Sequence, residues 1–165
     1  VELALTWLHY IKQKQPEALP FKVLPILCGD LLHSDEEANQ QVERFCTALR
    51  SAIQGRKTLV IAAADLSHVG PAFGGEPIDI FKQALVKEAD AILLALIREG
   101  KPEEFLQAVK SIDNKYNVCG VTPIYFTLKV TQSMAGTLIA HEFCPADEHH
   151  SSWVSICGFT LEGNL

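Results

Sequence analysis

The run Leu59-Val60-Ile61-Ala62-Ala63-Ala64, ending at Asp65, constrains the fold more than any other feature of the chain. Six apolar residues without alternation match a strand covered on both faces, as in parallel sheets packed under helices. Helical periods flank it. Ala38, Val42, Phe45, Leu49 and Ile53 form one stripe, opened by the capping-box pattern Ser34-Asp35-Glu36-Glu37 and stopped by Gly55. Phe81, Leu85, Ala89, Ile92 and Leu96 form another, with Asp79 as cap and Gly100 as stop. Strands alternating with helices predict an α/β fold, a three-layer sandwich with a mainly parallel central sheet flanked by helices.

Other segments fit that plan. Leu3, Trp7, Leu8 and Ile11 predict a helix over 2–14. Residues 21–27 read as a strand ending at Cys28-Gly29, although Pro25 cannot donate to a ladder. Pro102 suits the first turn of a short helix carrying Phe105, Leu106 and Val109. Thr122 and Pro123 can start a helix reaching about Met134, and two last strands are expected near 137–143 and 153–161. No repeat or linker divides residues 1–165, so a single domain is expected. The chain begins Val1-Glu2-Leu3, already within a helical pattern, as a piece of a longer protein would.

Charge and cysteine usage narrow the function. The 14 basic residues are scattered and outnumbered by 20 acidic ones, which excludes a general nucleic-acid face. No apolar segment reaches the roughly 20 residues of a membrane span. Cys28, Cys46, Cys119, Cys144 and Cys157 form no C-x-x-C pair, and their odd number predicts a reduced, cytoplasmic protein.

The apolar run ends in Asp65-Leu66-Ser67-His68, followed by Gly70, Pro71, Gly74 and Gly75. Loops at strand ends carry chemistry in α/β proteins. Asp65 and His68 can act as a metal ligand or as a general base oriented by a carboxylate. Equally, Asp65 can cap its loop and His68 can be a satisfied, partly buried ring. Cys119 lies just before the helix at Thr122-Pro123, where the helix dipole favours a thiolate. It can also be a small packed residue beside Gly120. His9, His33 and the pair His149-His150 lack obvious partners. His141 and Glu142 alternate in a strand, so one of the two faces solvent.

Several blocks together resemble the Memo-like family, also called AmmeMemoRadiSam system protein B. They are Pro25-Ile26-Leu27-Cys28-Gly29, Ala64-Asp65-Leu66-Ser67-His68 with Gly70 and Phe73, Cys119-Gly120 with Pro123-Ile124, and Ser151-Ser152-Trp153-Val154-Ser155 with Gly158. The resemblance spans nearly the whole chain but only the C-terminal half of a family member, with Val1-Glu2 similar to the end of an H-S-x-E motif. It implies kinship with class III extradiol dioxygenases, which use non-haem iron. By position Cys119 matches the family's metal-binding cysteine. Asp65 and His68 match a second pair near the metal, where the dioxygenase-like fold keeps its acid/base histidine, which implies a catalytic role for both.

Two further histidine ligands lie in the family's N-terminal half and have no counterpart here. The resemblance thus implies an iron or copper site, with zinc as a third option, that is weak and inactive in this chain alone. The alternative is a non-catalytic module that uses the same cleft for a peptide or protein partner. Self-association is expected from the apolar first helix. Whichever reading holds, Asp65, His68 and Cys119 should converge at one sheet edge, within roughly 10 Å of each other.

Overall fold

The computed structural model describes residues 2–15, 17, 20–133 and 135–163. Among these residues there are five α-helices, α1 (Glu2–Lys14), α2 (Glu36–Ile53), α3 (Ile80–Arg98), α4 (Pro102–Ser111) and α5 (Val121–Thr131), and one 3-10 turn at Pro71–Phe73. Three strands accompany them: β1 (His68–Val69), β2 (Ala135–Pro145) and β3 (Trp153–Glu162). The mixed helix and strand content fits the α/β class, but the sheet does not match the expectation. It has three strands in the order β1-β3-β2, and both pairings are antiparallel. The expected parallel three-layer sandwich is therefore corrected to helices beside a small antiparallel sheet.

The reason lies in which strands find partners. β2 and β3 are adjacent in sequence and pair over ten registered positions, Ala135↔Glu162 to Pro145↔Trp153, with an irregularity between Leu138 and Ala140. The two segments expected as strands, 21–27 and 58–64, the second of them covered on both faces, make no ladder among the described residues. The first segment is exposed throughout, with Leu27 at 87%, and in the second Leu59 is 81% exposed. Thr58, Val60, Ala62 and Ala64 are half-buried while Leu59, Ile61 and Ala63 are exposed. The second segment thus lies extended with one face on the protein.

The core sits among α3, α4, α5 and the sheet. Leu66, Leu93, Leu94, Ile97, Phe105, Val109, Val118, Val121, Ile124 and Leu128 form one buried cluster. Burying such side chains stabilises the fold by about 1.5–3 kcal/mol each. α3 presents a different stripe from the expected one. Its buried residues are Val86, Asp90, Leu93, Leu94 and Ile97, whereas Phe81, Leu85 and Ile92 are exposed.

α2 packs on α5 through Cys46, through Phe45 against Phe126, and through a charged junction. There Lys129 Nζ meets Glu103 Oε1 at 2.7 Å and Glu43 Oε1 at 2.8 Å. Burial works against the Lys129 charge, but the two carboxylates prevail and hold its pKa above the usual lysine range. The cap of α2 is Asp35, whose Oδ1 accepts from the Ala38 amide at 2.8 Å, rather than Ser34. The Ser34 hydroxyl turns back to the Leu31 carbonyl instead. α5 begins at Val121 with Gly120 as cap, two residues before the expected start at Pro123 with Thr122 as cap. Met134, the expected end of that helix, lies outside the described residues.

Candidate metal centre

The segment from Asp65 to His68 has almost every backbone group assigned. The Gly120 amide donates to the Asp65 carbonyl at 3.1 Å, and the Leu66 amide donates to the Ser155 carbonyl at 2.9 Å. The Ser155 amide donates back to the Ser67 carbonyl at 2.8 Å, and the His68 amide donates to Tyr116 at 2.8 Å. The Asn117 side-chain amide donates to the His68 carbonyl at 3.2 Å. β1 then pairs His68 with Val154 and Val69 with Trp153. The loop is thus held by β3 on one side and by the Tyr116–Gly120 turn on the other.

This bracing brings the three expected residues together. One donor atom from each of Asp65, His68 and Cys119 lies within 4.8 Å of the others. The Cys119 Sγ is 4.0 Å from the Asp65 carbonyl oxygen. Gly120 makes the approach possible, since a Cβ there would stand 2.4 Å from that same oxygen. The convergence depends on this turn packing and not on the carboxyl edge of a parallel sheet.

The imidazole of His68 is oriented. Its Nδ1 lies 3.0 Å from the Leu66 carbonyl, which can only accept, so Nδ1 carries the proton. Nε2 makes no hydrogen bond among the described residues and lies 3.8 Å from Asp65 Oδ2. A ring with one nitrogen bonded to a backbone carbonyl and the other free is the form that binds metals or accepts protons. Phe73 stacks edge-on against the ring at 5.0 Å. The Gly70–Gly75 turn carries Phe73 there: Gly70 has φ +104, and a Cβ on it would lie 2.5 Å from the Ser151 carbonyl. The Ser152 hydroxyl oxygen accepts from the Ala72 amide at 2.9 Å and fastens the turn.

The other cysteines differ from Cys119, which is exposed. Burial pushes the Cys157 thiol up, and the charges of Asp90 and Asp65 push it further. Burial also raises Cys28. Cys119 shares an open cleft with Cys28, Asp30, His33, Asn114 and Thr122. His33, expected to stand alone, meets Asp30 at 2.7 Å, and that hydrogen bond raises the His33 pKa. His149 and His150 are exposed and stand apart from the three-residue cluster.

A second polar group lies behind the loop and was not anticipated. Asp90 is 0% exposed and accepts from the Ser67 hydroxyl at 2.5 Å. His141 Nε2 lies 3.6 Å from the other Asp90 oxygen and 2.9 Å from the Ser155 hydroxyl. Glu142 is exposed, as alternation requires of one of the pair. The sequence did hold a signal for Asp90. It occupies the register of Val86, Leu93 and Ile97, where an isolated carboxylate is costly.

A family model described as Memo-like protein matches residues 1–160. The chain belongs to the Memo-like family. A MEMO1 family protein from Thermus thermophilus is 28% identical over 134 residues, which cover 81% of this chain and 36% of that relative. This Memo-like chain therefore spans about a third of the length of the curated relative that it matches. Among its described residues no helix is long and apolar enough to cross a membrane.

Proposed function

We propose that this Memo-like chain carries a metal-binding centre at Asp65, His68 and Cys119. The carrying observation is the convergence of a thiol, an imidazole nitrogen and a carboxylate oxygen within 4.8 Å of one another. The donor set suits a transition metal of the iron or copper type, and zinc is compatible with the same ligands. Cys119 supplies the soft anionic donor. His68 Nε2 is free for the ion or for a proton from a group bound beside it. Asp65, about half exposed, places its Oδ2 3.8 Å from that nitrogen, on the same side as the thiol.

A bound ion would supply Lewis-acid or redox chemistry at the site. The chain's own contribution is orientation. The Leu66 carbonyl fixes the tautomer of His68, Phe73 covers one edge of its ring, and Gly120 lets Cys119 reach the pair.

The test is metal titration of the chain and of Cys119→Ser and His68→Ala. Equilibrium dialysis against Fe(II), Cu(I) and Zn(II) should give one ion per chain. Affinity should fall at least about tenfold in Cys119→Ser, as loss of a ligand or its support commonly costs that much or more. Equal binding by the parent chain and Cys119→Ser would overturn the reading.

A further inference from the structure

We propose that Asp90 is a positioning residue for the Asp65–His68 turn, acting through Ser67; the inference rests on the metal-centre reading above. Asp90 stands in the core stripe of α3 between Val86 and Leu93, with no exposed surface. If that position served packing alone, an apolar side chain would serve it better, because a buried carboxylate needs all its lone pairs satisfied. One Asp90 oxygen has its partner, the Ser67 hydroxyl at 2.5 Å. The other, Oδ2, has no hydrogen-bond partner among the described residues. His141 Nε2 is 3.6 Å from it, beyond hydrogen-bond length, and is engaged with Ser155. A buried carboxylate with one oxygen unsatisfied calls for a role beyond packing.

What it holds is the middle of the candidate site. Ser67 is buried and lies between Asp65 and His68, the two donors that share the loop. β1 pairs only two residues with β3, which alone fixes register weakly. Ser155 grips the backbone on both sides of Ser67, and Asp90 grips its side chain. The turn is thus held from the sheet and from α3 together. Release of the Ser67 hydroxyl frees the turn to slide along Ser155 and carries His68 Nε2 away from Cys119.

Three variants separate positioning from bulk stability. Ser67→Ala removes only the hydroxyl. Asp90→Leu removes the acceptor and fills the stripe, and Asp90→Asn keeps an oxygen that can accept from Ser67. Amide hydrogen exchange on the metal-free chain reads the turn directly. Ser67→Ala and Asp90→Leu should speed exchange at the Leu66, His68 and Gly120 amides about tenfold or more, while Phe105 and Val109 in α4 keep their protection. Asp90→Asn should stay close to the parent chain. Co(II) titration is the second readout. The first two variants should lose about 10- to 100-fold in affinity, with a shifted ligand-field spectrum, and Asp90→Asn should retain both.

Parental protection at Leu66 and His68 in Ser67→Ala would overturn the proposal. So would a uniform loss of protection across α3, α4 and α5 in that variant, which would mark a purely structural role. If the parent chain shows no Co(II) binding that depends on Cys119, the metal-centre reading fails, and amide exchange then decides the role of Asp90 by itself.

Discussion

Gly120 has no room for a side chain. An added Cβ would lie 2.4 Å from the Asp65 carbonyl, 2.8 Å from Ala64 Cβ and 3.0 Å from Ile124 Cδ1. Its φ of −78 is open to any residue, so crowding and not backbone conformation dictates glycine here. Gly120→Ala should cost about 1–3 kcal/mol, as overpacking does, and should push Asp65 away from Cys119. Urea unfolding together with Co(II) titration checks both effects, and parental values in both would contradict the close approach. Asp147 makes a prediction about acid. The Ser152 hydroxyl and then the Ser151 amide hold its carboxyl down at about 2. Unfolded, it titrates near 3.9. Its contribution to stability is therefore present above about pH 4 and lost as pH falls through about 2. Asp147→Asn should melt earlier than the parent at neutral pH, with the two melting temperatures converging near pH 2. A constant offset across the acid range would count against it.

Among the elements, helices were more legible than strands. All five expected helices are present, because helical hydrogen bonds are internal to a segment and periodicity with end signals suffices to find them. The stripe on α3 was misread because the helix carries two. Leu85, Ala89, Ile92 and Leu96 repeat the spacing of Val86, Asp90, Leu93 and Ile97 one residue earlier, and the polar Asp90 disguised the buried stripe. Strands need a neighbour, and composition does not name it. The hairpin of β2 and β3 was found with nearly its observed limits because each strand is the other's partner. The runs 21–27 and 58–64 have strand composition and yet no ladder among the described residues. For the candidate site, Asp65, His68 and Cys119 were visible as residue types after an apolar run and before a helix. Ser67, Asp90, His141 and Ser155 were not legible as a group, since their association depends on four separate segments meeting.

At the scale of the whole molecule, apolar surface is left uncovered. α1 buries none of its residues, and Leu24, Leu27, Leu59, Ile61 and Phe81 are all exposed. Contiguous apolar surface and unpaired strand backbone favour association. Light scattering should therefore give a mass above that of one chain and rising with concentration. Leu59→Lys combined with Phe81→Lys should lower it, and a concentration-independent single-chain mass for the parent would refute the expectation. The contact between Cys119 and Asp65 joins residues 54 apart in sequence. Closing so long a loop carries an entropy cost that grows with its length, and only the packing of the segments between can offset it. α3 and α4 lie within that loop. Leu66 and Val118, next to Asp65 and Cys119, belong to the helical core, so the donor cluster is expected to dissolve together with that core when it loosens.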